Sequence, residues 1–191
     1  MRPPIIFKTL ITFLLITSLI ACKKEDPVDP SADLHLDGTN FSAPILDPDT
    51  YTMAVLFTEN DLQAFVGKEI EEILVYIDNI PNQCNVILFK DGSNNQPGEQ
   101  LYNSNVTDEL EADSWNFHSL ASTVAISGEP IWVAIEVTQN NAIATVGCDA
   151  GPAVSNGDYI FSKTDNTWET LRNRSEDEVD INWNIRLRIS E

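Results

Sequence analysis

Near the end of the chain Ile181, Trp183, Ile185, Leu187 and Ile189 alternate with Asn182, Asn184, Arg186, Arg188 and Ser190. A period of two places the first set on one face of a strand and the second on the other, so this segment predicts a strand with one buried face. Ile131 to Val137 is apolar almost throughout and rich in β-branched residues, which predicts a central strand covered on both sides. Ile70–Ile77, Cys84–Phe89, Gln100–Ser104, Trp115–Leu120 and Asp158–Ser162 supply further short strands. Between two of them, Asp91 to Gly98 carries two glycines and a proline. Gly supplies positive φ and Pro withholds a ladder donor, so this stretch is a loop. One short helix is predicted over Glu59–Val66, opened by Thr58 with Asp61 three residues on and closed by Gly67. Leu62, Phe65 and Val66 would then face the sheet. By the same phase argument Trp183 and Trp115, the latter with Phe117, belong to the core, and Trp132 covers a second face. His118, out of phase with Trp115 and Phe117, faces solvent. The pattern is that of one all-β domain over residues 46–191.

The first residues follow a different rule. Arg2 and Lys8 precede an apolar stretch, Leu10 to Ile20, that is too short to be a comfortable membrane span, which favours an export signal over an anchor. Leu19-Ile20-Ala21-Cys22 closes it and resembles a bacterial lipobox, in which the Cys22 thiol receives diacylglycerol before cleavage. Residues 1–21 are then a lipoprotein signal peptide and residues 22–45 a lipidated N-terminus and flexible linker. Pro27, Pro30, Pro44 and Pro48 stiffen a spacer that runs on to about Pro48. Several acyl chains make such an attachment stable where one alone would be marginal. Lys23-Lys24-Glu25-Asp26 resembles the export signal that sends lipoproteins of Bacteroidetes-type bacteria to the outer face of the outer membrane. The expected location is therefore the outer membrane, lipid-anchored and exposed on the cell surface.

Charge narrows the partners. Of 191 residues, 30 are Asp or Glu and 11 are Lys or Arg, a formal charge of −19, and loss of Arg2 and Lys8 with the signal deepens it to −21. Such a surface repels phosphate backbones and anionic head groups, which excludes nucleic acid and leaves the lipid as the contact with the membrane. Acidity also admits calcium, for which the candidates are Asp47 with Asp49, Asp91 with Asn94, and the run Glu176, Asp177, Glu178 and Asp180. None forms an Asp-x-Asp-x-Asp-Gly loop, so no cofactor is assigned and calcium stays open. Cys84 and Cys148 either pair in an oxidising exterior or remain two separate buried thiols.

Phe57-Thr58-Glu59-Asn60-Asp61-Leu62, Gly67-Lys68, Cys148-Asp149-Ala150-Gly151-Pro152-Ala153-Val154, Gly157-Asp158, Thr167-Trp168 and Asn182-Trp183-Asn184-Ile185 occur in that order. Together they resemble a β-sandwich module of secreted and surface proteins of Bacteroidetes, similar to the jelly-roll adhesin modules of the gingipain type. The resemblance covers nearly the whole mature domain. It implies a jelly-roll-like antiparallel β-sandwich that accompanies other surface domains, and it implies no reaction.

Candidate chemistry is sparse. Gly147, Gly151 and Pro152 around Asp149 specify a tight loop that Asp149 can fix as an Asx-turn. Trp168, between Asn166-Thr167 and Glu169, is the best candidate for an exposed stacking platform. The expected function is non-catalytic binding or adhesion, with a glycan or an envelope or host protein as ligand and with Asp149, Asn156, Asp158 and Trp168 as contacts. The alternatives are a structural accessory subunit docking on another envelope protein and a small glycoside hydrolase using paired carboxylates. No nucleophile elbow, phosphate loop or His-Glu-x-x-His pair is present, so the chain reads as no enzyme.

Overall fold

A computed structural model describes residues 32–176 and 178–191. The signal at 1–21, Cys22, Lys23, Lys24, Glu25, Asp26 and Asp177 lie outside the described residues.

Twelve strands follow one another along the chain. They are β1 (Leu34–His35), β2 (Ile45–Leu46), β3 (Asp49–Phe57), β4 (Glu69–Ile77), β5 (Gln83–Asp91) and β6 (Pro97–Asn105), then β7 (Ser114–Ala125), β8 (Ile131–Gln139), β9 (Ile143–Ala144), β10 (Tyr159–Ser162), β11 (Thr167–Thr170) and β12 (Ile185–Ile189). A four-stranded sheet in the order β1-β12-β4-β7 faces a six-stranded one in the order β11-β10-β3-β8-β5-β6, and every pairing is antiparallel. Leaving aside the added β10-β11 hairpin, β1-β12-β4-β7 over β3-β8-β5-β6 is the strand order of a jelly roll. β2 and β9 form a separate two-stranded ribbon.

The alternation in β12 runs as its sequence predicts. Ile185, Leu187 and Ile189 enter the main core, where Trp183 is fully buried just ahead of the strand. β8 is covered on both faces: Val133, Ile135 and Val137 point into the main core, while Trp132 and Ala134 join Ala54, Leu56 and Ile87 in a smaller cluster on the outer side. Burying a side chain of this size stabilises by about 1.5–3 kcal/mol, so two filled faces make β8 the spine of its sheet.

Four expectations need correction. The spacer does not reach residue 45. Leu34 pairs with Leu187 and is buried, and Asp37 is buried against Arg186, so the sandwich begins by residue 33. The proline content of this stretch hid a short edge strand and a buried ion pair. β3 was not predicted at all, although it is central and buried from Tyr51 to Phe57; Thr50 and Thr52 break its apolar run just where it starts. The phase of β7 is inverted. Trp115 packs with Leu74 and Tyr76 outside the four-stranded sheet and Phe117 is 49 % exposed, so His118 points inward, where its Nε2 lies 2.8 Å from the Tyr102 hydroxyl. The expected helix is a single turn, α1 (Glu59–Leu62), followed by a 3-10 turn at Gln63–Phe65, and it buries Leu62 while leaving Val66 exposed. At its start the Asp61 carboxylate accepts hydrogen bonds from the Thr58 N–H and hydroxyl, both 2.7 Å. A second short helix, α2 (Leu171–Arg174), was not expected.

Candidate functional site

The loop between β9 and β10 is shaped from behind by one carboxylate. Asp149 accepts hydrogen bonds from the Gly38 N–H at 2.8 Å, the Gly151 N–H at 2.9 Å, the Asn182 N–H at 2.8 Å and the Asn182 side-chain amide at 2.9 Å. Burial raises its carboxyl, but the bonds from Asn182, Gly38 and Gly151 outweigh burial and hold it below its ordinary value. The bond to Gly151 is the expected Asx-turn. With all four donors inside the protein and Asp149 buried, it is not a ligand contact, and that expectation is corrected here.

Asn182 passes this order on to the surface. Its amide oxygen accepts from the Val154 N–H at 2.7 Å and its amide nitrogen donates to the Pro152 carbonyl at 3.1 Å. Asp180 takes the Ala153 N–H at 2.8 Å. Two glycines are required for so close an approach: Gly151 has φ +70, and a Cβ at Gly157 would run into the Asn182 amide oxygen. The loop so held forms one wall of an open groove of about 260 Å³, and α2 forms the other.

Asn156, Asp158 and Arg172 meet in this groove, with Ser155, Thr170 and Asn173. Asp158 lies at its base, 2 % exposed, and accepts the Arg172 N–H at 3.1 Å. Burial pushes its carboxyl up, and the Arg172 contacts only partly offset that. The Arg172 guanidinium donates to the Ala153 carbonyl at 2.9 Å and pairs with Asp180 at 3.2 Å. Asn156 sits at the rim with φ +73. Its side-chain oxygen lies 3.4 Å from the Tyr159 hydroxyl, which donates to it.

Tyr159 links the groove to an aromatic row on the outer side of the six-stranded sheet. Its ring centroid is 4.6 Å from Trp132, Trp132 is 5.8 Å from Trp168, and Trp168 is 5.4 Å from Phe161 at an interplanar angle of 34°. Trp132 is fully buried and its ring N–H donates to Asp91 at 2.8 Å. Trp168 is half-buried, a lid on Trp132 with one part of its ring left to solvent. Of the four expected contacts, then, Asn156 and Asp158 share the groove, Trp168 stands on the adjoining face, and Asp149 supports the groove from beneath. Arg172, Tyr159 and Asn182 were missed. Asn182 appeared as the polar half of a strand alternation and within the Asn182-Trp183-Asn184-Ile185 motif, with no contact role, and nothing in the sequence sets Arg172 apart from other surface arginines.

Three of the carboxylates weighed for calcium, Asp49, Asp91 and Asp180, have protein partners. Asp49 accepts from the Ser162 hydroxyl and the Thr164 N–H, Asp91 from Trp132, and Asp180 from Ala153. Among the described residues no three His, Cys, Asp or Glu side chains gather into a group that could hold a metal ion.

Cys84 and Cys148 are two free, buried thiols, so the disulfide does not form in this fold. Burial pushes both up to about 12, helped by Glu136 at Cys84 and by Asp149 at Cys148. In a Cys22→Ser variant, which leaves these two thiols alone, neither is expected to react with Ellman's reagent at pH 8 in the native protein, whereas both react in guanidinium. A native signal of one equivalent or more contradicts this placement.

The class defined here is a jelly-roll β-sandwich with a polar groove and an adjoining aromatic face. Comparison of the chain with protein-family models, with curated proteins and with solved structures finds no match.

Proposed function

We propose that this chain is the non-catalytic binding module of a surface lipoprotein, held by acyl chains on Cys22 and taking a carbohydrate ligand at the groove. The observation that carries this reading is the junction at Tyr159, which joins hydrogen-bonding Asn156, Asp158 and Arg172 to the Trp132-Trp168-Phe161 row. Sugars present hydroxyls at the rim and flat C–H faces above and below the ring, so they need amide, carboxylate and guanidinium partners beside an aromatic surface. The lining of the groove holds one carboxyl group, Asp158, whereas the alternative of glycoside hydrolysis uses two facing ones. The likeness to gingipain-type adhesin modules and the Lys23-Lys24-Glu25-Asp26 signal support a place on the outer membrane surface.

Glycan-array binding of the purified full chain tests the proposal. Trp168→Ala and Arg172→Ala are each expected to weaken a bound glycan at least about tenfold, an energy in the range of one aromatic contact or one charged hydrogen bond. An array with no signal, or variants that bind as the parent does, would refute it. Docking on another envelope protein is the second reading, favoured by Phe41 and Ile45 beside the β2-β9 ribbon, each 74 % exposed. Co-purification of one stoichiometric envelope partner, lost in Phe41→Ser/Ile45→Ser, would support it instead.

A further inference from the structure

The register of the six-stranded sheet aligns its outward side chains into rows that cross the strands. One row runs Trp168, Phe161, Thr52, Glu136, Asn85, Asn105, each residue directly opposite the next on the neighbouring strand. Beside it runs Thr170, Tyr159, Ala54, Ala134, Ile87, Asn103. Beyond that lies Leu56, Trp132, Phe89, Gln100. On the far side of the first row are Thr50, Thr138 and Gln83.

This face has the alternation of a partner-facing surface. Within the second row Ala54, Ala134 and Ile87 are buried in one cluster with Trp132 and Leu56, which levels the middle of the face. The two helices leave it open, since α1 and α2 bury Leu62 and Leu171 in the main core on the inner side. Around the buried Thr52, Ala54, Leu56, Ile87, Trp132 and Ala134, the positions still open to solvent would ordinarily carry charge in a chain of net charge −19, yet they hold mostly amides, hydroxyls and aromatic rings. Glu136 is their one charged side chain, and it accepts a 2.9 Å hydrogen bond from Asn85. No Lys or Arg stands among the paired positions of these rows; Lys163, whose N–H donates to the Thr50 carbonyl, flanks the last of them at its β10 end.

We infer that the carbohydrate site continues from the groove across this face, and that its ligand is an extended, uncharged oligosaccharide lying across the strands along the Trp168-to-Asn105 row. The inference rests on the carbohydrate reading of the groove. Neighbouring strands lie about 4.8 Å apart, close to the length of one pyranose unit in an extended chain, so successive sugars meet successive side chains. Six strands give a track of about 24 Å. At the β11 end a sugar stacks on Phe161 and Trp168, whose rings are tilted by 34° to one another. Further along, Glu136, Asn85 and Asn105 offer acceptors and donors at the spacing of ring hydroxyls. Anionic glycans are disfavoured, because Glu136 repels them and no cation in the rows answers them.

The test is titration of the full chain with hexasaccharides and disaccharides of β-1,4-glucan, β-1,4-mannan and β-1,4-xylan, and with oligogalacturonate as an anionic probe. At least one neutral hexasaccharide is expected to bind about tenfold or more tighter than its disaccharide, and oligogalacturonate to bind more weakly than either. Asn105→Ala, at an exposed edge position where the side chain makes one local hydrogen bond from the Thr107 N–H, is expected to keep a urea midpoint close to the parent's, weaken the hexasaccharide about three- to tenfold and leave the disaccharide unchanged. Phe161→Ala is expected to weaken both. Equal affinity for the two lengths, preference for oligogalacturonate, or a neutral Asn105→Ala overturns the track. If Arg172→Ala abolishes binding while Asn105→Ala and Phe161→Ala do not, the groove reading survives and the track fails. If no saccharide binds, both fail.

Discussion

Replacing Arg186 by Ala is expected to destabilise the domain by about 3–5 kcal/mol, the cost of leaving a buried carboxylate without its partner. The Arg186 guanidinium meets Asp37 through Nε at 3.0 and 2.9 Å and through Nη2 at 2.8 Å, and it donates to the Gly38 carbonyl at 2.9 Å. Side-chain exposure is 3 % for Arg186 and 0 % for Asp37, so water cannot take over when the guanidinium is removed. Trp115 covers the pair from outside, its ring centroid 4.4 Å from the guanidinium carbon. Burial pushes the Asp37 carboxyl up and Arg186 pulls it part of the way back. Without Arg186 the raised carboxyl costs stability only while ionised. The deficit of Arg186→Ala should therefore be full at pH 7 and shrink as pH falls through the folded-state value of Asp37. Urea midpoints at unchanged m across pH 5 to 8 measure it. The double variant Asp37→Leu/Arg186→Met should recover most of the loss, because well-packed apolar pairs replace buried ion pairs at little cost. A loss under about 1 kcal/mol at pH 7 would show that the pair is not buried as described.

The second large effect is expected at Asp149. Asp149→Ala removes the acceptor of four hydrogen bonds at once, orphaning two buried donors of Asn182 and the part-buried N–H groups of Gly38 and Gly151. Each orphan costs about 1–3 kcal/mol, so a total of about 3 kcal/mol or more is expected, together with loss of groove binding, since Asn182 then no longer holds Val154. Asp149→Asn keeps the shape with one acceptor oxygen in place of two and should cost less. The Asp149 carboxyl is shifted the opposite way to that of Asp37, but the difference between variant and parent again shrinks in acid. The folded-state carboxyl of Asp149 lies below its ordinary value of 3.8, so its contribution is complete above that value and is lost as pH falls through the folded-state value. The stability difference between the parent and Asp149→Asn should be constant from pH 7 to 5 and narrow in acid below 3.8. A difference that widens in acid would contradict the hydrogen-bond account.

Both residues show why part of the site was illegible along the chain. Asp37 stands in a stretch of Pro, Ser and Asp whose composition reads as a tether, and its partner is the polar member of a strand alternation 149 positions away. Asp149 was legible as the fixer of a tight loop, because an Asx-turn is a local device with a local signal in Asp149, Gly151 and Pro152. Its bonds to Gly38 and Asn182 join segments that no local pattern relates. Trp168 was visible as an aromatic between polar residues, but its lid role depends on Trp132, which sits two strands beyond β10 in the sheet order.

From the order of residues alone came the all-β class, the spine at β8, the buried face of β12, a loop within the Asp91 to Gly98 stretch, narrowed by the structure to residues 92–96, and the turn chemistry around Asp149. Each rests on a period of two or on the special backbone of Gly, Pro and Asp, and both act over a few neighbours. Tertiary structure decided the rest. It brought the ends of the domain together through β1 and β12, chose which face of β7 is inside, kept Cys84 and Cys148 as separate thiols, and set Asn156, Asp158 and Arg172 around one groove. Phase along a strand says which residues share a face and is silent on which face meets the core. That choice is made when two sheets pack, because only then is water excluded from one side.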